Sequence, residues 1–190
     1  ISSMDMICLK RFLLEGAFDM ARLKRVGMLA VLLLVGQGCG DRLAEMQTQL
    51  AGTWVLQSRT LADGSILRPP VVQGAISWVP VSSRKAHVTL NLLESAQDQA
   101  PRRFNYAAST YEISTSAITQ ARYVLIRQGY RSSAKSPISV YPKGKKTKGK
   151  ITVGEAGIEI SHDSQDWVFN GNTMTASHDN AWTDTWARVQ

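Results

Sequence analysis

Between Ala86 and Glu94 apolar and polar positions alternate. Val88, Leu90 and Leu92 fall on one face, and His87, Thr89 and Asn91 on the other. A period of two predicts a strand with one buried side and one wet side. Comparable segments run through the chain. Gly52–Leu61 (GTWVLQSRTL) reads as a strand followed by an Asp-Gly turn, and Gly74–Val81 (GAISWVPV) as the next. Arg102–Ser116 reads as two short strands or one bent one. Ile118–Tyr130 is rich in branched and aromatic residues around Tyr123, Val124, Leu125 and Ile126. Towards the C-terminus, KITV and GIEIS flank GEAG, and QDWVF and TMTAS flank Asn170-Gly171, a residue pair suited to positive φ in a tight turn. AWTDTWARV closes the chain. Helical spacing shows only before the strands, at Leu43, Met46 and Leu50. Successive strands joined by short turns predict an all-β fold: an antiparallel up-and-down meander closing into a barrel of about 8–10 strands.

The N-terminal pattern is different. A basic segment, Met20–Arg25, precedes the apolar run Val26–Gln37, which ends at Gly38 and Cys39. A membrane-spanning helix needs about 20 apolar residues, and this run is shorter. Basic residues, a short apolar stretch and small residues at its exit predict an export signal. The reading therefore divides the chain into 1–19, translated upstream of a true start at Met20; 20–38, a signal peptide; 39–50, a tether or short helix; and 51–190, the barrel. LVGQGC, ending at Cys39, resembles a bacterial lipoprotein signal, although Gly36 stands where that family usually has Leu. The resemblance implies lipidation of Cys39. Gly40, in place of Asp, implies sorting to the outer membrane, facing the periplasm. Gly36-Gln37-Gly38 also fits an ordinary signal peptidase, so both routes remain open. Only Cys8 and Cys39 exist, and Cys8 lies in the segment to be discarded. A lone thiol at the start of an exported domain is unusual, and lipidation accounts for it.

Leu50–Ser58 (LAGTWVLQS) carries Gly52, Thr53 and Trp54, and TWARV near the end carries Arg188. A short helical segment, Gly-x-Trp on the first strand, a meander and a terminal basic residue together resemble the lipocalin-like family. The resemblance implies a barrel plugged at one end by the pair Trp54 and Arg188. It also implies an interior able to take a small hydrophobic ligand. The disulfide and second loop motif of some secreted lipocalins are absent.

Candidate chemistry changes this picture little. All five tryptophans lie from Trp54 onward. Trp78, Leu125, Ile158, Trp167 and Phe169 are candidates for lining a ligand cavity, with plain core as the competing reading. Ser161-His162-Asp163 and Ser177-His178-Asp179 suggest a triad or a metal site, but consecutive side chains diverge, and both triplets fall where turns are expected. Scattered carboxylates and the lack of a phosphate loop or nucleophile elbow point to no enzyme and no cofactor or metal. The formal net charge of +7 is concentrated in KGKKTKGK. Lys143, Lys145, Lys146, Lys148 and Lys150 read as a solvated hairpin loop or as a contact for an anionic envelope surface. No aromatic residue interleaves with them, and export argues against a nucleic-acid partner. Two functional readings result: an exported, lipid-anchored binder of a small hydrophobic ligand, or an envelope module with a filled barrel and a protein partner. Neither fixes an oligomeric state.

Overall fold

The computed structural model describes residues 42–95, 103–129 and 136–189. A helix, α1, spans 42–50. It is followed by β1 (Gly52–Leu61), β2 (Ile66–Leu67), β3 (Val72–Pro80), β4 (Lys85–Glu94), β5 (Arg103–Ile113) and β6 (Ala117–Gln128). Then come β7 (Ile138–Gly154), β8 (Gly157–His162), β9 (Gln165–Asn170), β10 (Thr173–His178) and β11 (Trp182–Val189). β2 is a two-residue addition to β1. The other strands pair antiparallel with their neighbours along the chain, and β11 returns to pair with β1, so the sheet closes into a ten-stranded barrel. The architecture is consistent with a lipocalin-like barrel.

Short turns dictate this order. The hairpins after β8 and β10 place Asp163 and Ser164 at φ 53 and 63, and Asp179 and Asn180 at φ 38 and 56. Two successive positive-φ residues give the primed turn whose twist matches that of the flanking strands. Asp and Asn tolerate this conformation better than most residues.

Alternation fills the interior. Trp54 and Leu56 of β1 point inward, and a register shift between Leu56 and Ser58 brings Arg59 to the buried side. Such a bulge adds one residue to one strand and re-aims the side chains beyond it. One end of the barrel is packed solid. There Leu43, Met46 and Leu50 of α1 are buried together with Trp54, Trp78, Ile158, Phe169, Met174 and Trp186. The helical spacing of Leu43, Met46 and Leu50 thus supplies one apolar stripe that caps the barrel.

Of the two readings of Arg102–Ser116 the single strand holds: the segment contains β5, whose pairing with β6 shifts register between Ala108 and Ser109. One expectation is revised. The lysine run is not a hairpin loop but the middle of β7, paired with β6. Lys146, Lys148 and Lys150 are exposed, while Thr147, Gly149 and Ile151 alternate with them on the more buried side. Period two is present, but its inner positions are a hydroxyl and a glycine, so the apolar signal is weak. Gly149 is required there, because a Cβ would lie 2.4 Å from the Ser161 carbonyl oxygen.

Candidate functional site: a polar cavity beyond an aromatic plug

Trp54 and Arg188 face each other across the seam that closes the barrel. The guanidinium carbon of Arg188 lies 4.5 Å from the centre of the indole ring. The last carbonyls of a helix have no partner within it. Here Trp54 Nε1–H donates to the Leu50 carbonyl at 3.1 Å, and Arg188 Nη2 donates to that of Gln49. A cation at a helix C-terminus also complements the helix dipole. Trp78 Nε1–H donates to Gln47 Oε1 at 3.0 Å, so two indoles hold α1 in place. Phe169 sits edge-on to Trp54 with centroids 5.4 Å apart, and Tyr111 lies 5.1 Å from Trp78.

Above this layer the barrel is not full. A cavity of about 280 Å³ lies between β3–β6 and β8–β10 and reaches the turn residues Asp163 and Ser164, at the end away from α1. Ile76, Val88, Leu90, Ala107, Leu125 and Trp167 give it apolar walls. Its remaining lining is polar and holds a continuous hydrogen-bond network. Gln120 Nε2 donates to Ser109 Oγ at 3.0 Å and to Tyr111 Oη at 2.8 Å. Gln120 Oε1 accepts from Arg122 Nη2 at 3.2 Å and from Thr147 Oγ1 at 3.3 Å. Thr147 Oγ1 also lies 2.7 Å from His162 Nε2. Arg122 Nη2 reaches Asp163 Oδ2 at 3.2 Å. Burial raises the Tyr111 pKa, so the phenol stays protonated. Burial, aided by the Arg122 charge, lowers that of His162, although Asp163 and Thr147 oppose it.

Beside the cavity, on β1, β4 and β11, lies a buried ion cluster. Arg59 donates from Nε and Nη2 to the two oxygens of Asp184 at 2.6 and 2.7 Å, and from Nη1 to Glu94. Its guanidinium lies 4.5 Å from the Trp182 ring centre. Burial alone would lower the Arg59 pKa; the hydrogen bonds and charge of Asp184, with Glu94, outweigh it and raise it. Burial raises the pKa of Asp184, against the pull of Arg59.

Of the residues picked from the sequence as cavity lining, Leu125 and Trp167 line the cavity. Trp78, Ile158 and Phe169 do not: they are buried in the packed end, where Trp78 pairs in register with Gly52 and Phe169 with Ile158. Lys143, Lys145, Lys146, Lys148 and Lys150 are exposed. Cys39 and the signal segment lie outside the described residues. The serine–histidine–aspartate triplets are not wholly in turns as expected: Ser161 and His162 end β8, Ser177 and His178 end β10, and only Asp163 and Asp179 lie in turns, so strand alternation separates serine from histidine. Ser161 is exposed, His162 is half-buried against Thr147, and Asp163 is in the turn. His162 and His178 nonetheless line the same cavity. Among the described residues no group of three His, Cys, Asp or Glu side chains could hold a metal ion. Sequence reading missed Arg122, Gln120 and the Arg59 cluster. Ile118, Gln120 and Arg122 share one parity in β6, so the alternation that buries Ile118 could have found them. Arg59 is hidden by the bulge before it. No family model, curated protein or solved structure matches the chain.

Proposed function

We propose that this protein is a non-enzymatic binder of a small molecule, exported to the cell envelope and anchored there through lipidated Cys39, in the outer membrane and facing the periplasm. The observation that carries the binding reading is the cavity of about 280 Å³ inside a barrel whose other end is closed by packed side chains. Small-molecule sites occupy about 300–1,000 Å³, so the occupant is at the small end of that range. Ten strands enclose a wider interior than the eight that side chains can just fill, which leaves room beyond the plug. The sequence suggests a hydrophobic ligand; the mixed lining favours one with polar groups as well.

Native mass spectrometry of the purified protein tests this. A retained small-molecule mass is expected, lost when Leu125→Trp fills the cavity. Persistent apo mass, with no binding across a panel of small amphipathic compounds, would favour the filled-barrel module with a protein partner. Anchoring is tested separately: Cys39→Ser should move the protein from the membrane fraction to the soluble one, and unchanged fractionation would refute the anchor. The exposed alternation of Lys146, Lys148 and Lys150 supports contact with an anionic envelope surface. Binding to phosphatidylglycerol vesicles that survives replacement of these lysines by Gln would refute that contact.

A further inference from the structure

Among the described residues, two that line the cavity carry a buried polar atom without a hydrogen-bond partner: Arg122 Nε and Asn105 Oδ1. Burying a polar group unpaired is costly, so such atoms call for an explanation. The hydrogen bonds that the Arg122 guanidinium makes to Gln120 and to Asp163 both leave from Nη2. A guanidinium presents five donors in a planar fork suited to a second, bidentate acceptor. The charges point the same way. Among the described residues, Arg122 and Arg127 line the cavity against a single carboxylate, that of Asp163, whose side chain is 50% exposed. Arg127 stands directly opposite Asn105 in the β5–β6 register, which places a second cation towards the rim. The apolar walls, Leu90, Leu125 and Trp167 among them, lie in the same enclosure.

We infer that the cavity takes a small amphipathic acid, its carboxylate or other anionic group held by Arg122 and its apolar part against Leu125 and Trp167. This rests on the cavity reading above and adds the charge of the ligand. Asp163 is then an internal competitor, occupying Nη2 of the arginine that the ligand needs.

The test is calorimetric titration with 2-naphthoate and with 2-naphthamide, which share a shape and differ in charge. Both probes can accept from the guanidinium, but only naphthoate adds a close charge pair inside the enclosure, so it should bind at least about tenfold more tightly. Arg122→Gln should erase that preference, weakening naphthoate far more than naphthamide. Asp163→Asn should strengthen naphthoate binding severalfold and leave naphthamide unchanged. Asn is well suited to the positive φ at this turn, so this variant serves even if the Arg122 variant folds poorly. Equal binding of acid and amide by the unaltered protein would overturn the inference and leave the cavity reading standing. So would an Asp163→Asn variant that gains for both or for neither. Failure of both probes to bind would overturn inference and cavity reading together.

Discussion

Replacing Arg59 by Met would remove the cation from the buried cluster while keeping an unbranched stem in its place. Asp184, with its side chain 2% exposed, would lose both guanidinium hydrogen bonds, and Glu94, 20% exposed, would lose its own. Two carboxylates would then share a site with no buried cation between them. Removing one member of a buried ion pair costs about 3–5 kcal/mol, chiefly through the charge left behind. Lost contact with the Trp182 ring adds about 0.5–2 kcal/mol. Against a domain stability of about 5–15 kcal/mol, this is a large fraction. The pH dependence gives a second handle. Burial already raises the Asp184 pKa, and loss of Arg59 raises it further above its unfolded value. A carboxyl with a raised folded-state pKa penalises the fold when ionised, so the penalty should shrink as pH falls from 7 towards the carboxylate range of about 4. Urea denaturation followed by tryptophan fluorescence at pH 7 and pH 5 measures both effects. Pairing Arg59→Met with Asp184→Leu should cost less than Arg59→Met alone, because no buried charge is stranded on Asp184. A single-variant loss under about 1 kcal/mol, a loss that does not shrink on acidification, or strict additivity in the double variant would refute this account of the cluster.

The same geometry yields other outcomes. Arg188→Gln removes the cation over Trp54 and should lower stability by about 0.5–2 kcal/mol in the same denaturation assay. Gly171→Ala places a Cβ at φ 57 in open space and should cost about 1–2 kcal/mol. Gly157→Ala meets φ 116 and the Phe169 carbonyl oxygen 2.0 Å from the new Cβ, so its loss should be clearly larger; equal losses would contradict the register of β8 against β9. His162 has a lowered pKa in the fold, chiefly from burial. The unfolded chain therefore takes the proton first, and stability should fall as pH drops below the ordinary value of 6.5. Comparing pH–stability curves for His162→Gln and the unaltered protein checks this; the variant's curve should be flatter there.

Much of the barrel was legible because its strands obey simple alternation. β1 begins and ends where GTWVLQSRTL does, but the β9–β10 hairpin lies one residue on from the expected pair: Asn170 ends β9 opposite Thr173, and of the turn residues Gly171 and Asn172 only Gly171 takes positive φ. Arg188 stands opposite Trp54 because first and last strands meet when a meander closes. β7 was less legible, because Thr147 and Gly149 occupy inner positions where apolar residues would have signalled a strand. The cavity was only half legible. Which inward aromatic residues touch one another depends on depth along the barrel, and depth is set by register between distant strands. Trp78 and Trp167 look alike in sequence, yet one bonds Gln47 beneath the plug and the other lines the cavity. The Arg59–Asp184 pair needed both the bulge and the closing seam, neither of which leaves a local pattern.

Small molecules that bind as proposed enter the barrel on the side of the plug that faces Trp167. Five indole N–H resonances report on it directly in a nitrogen-15 NMR titration with 2-naphthoate, with assignments from single Trp→Phe variants. Binding in the cavity should give a saturable shift of the Trp167 indole, whose N–H is bonded to Gln165 at the cavity wall, and leave the Trp54 indole unmoved. Movement of Trp54 with Trp167 fixed, or no shift at a saturating concentration, would contradict it.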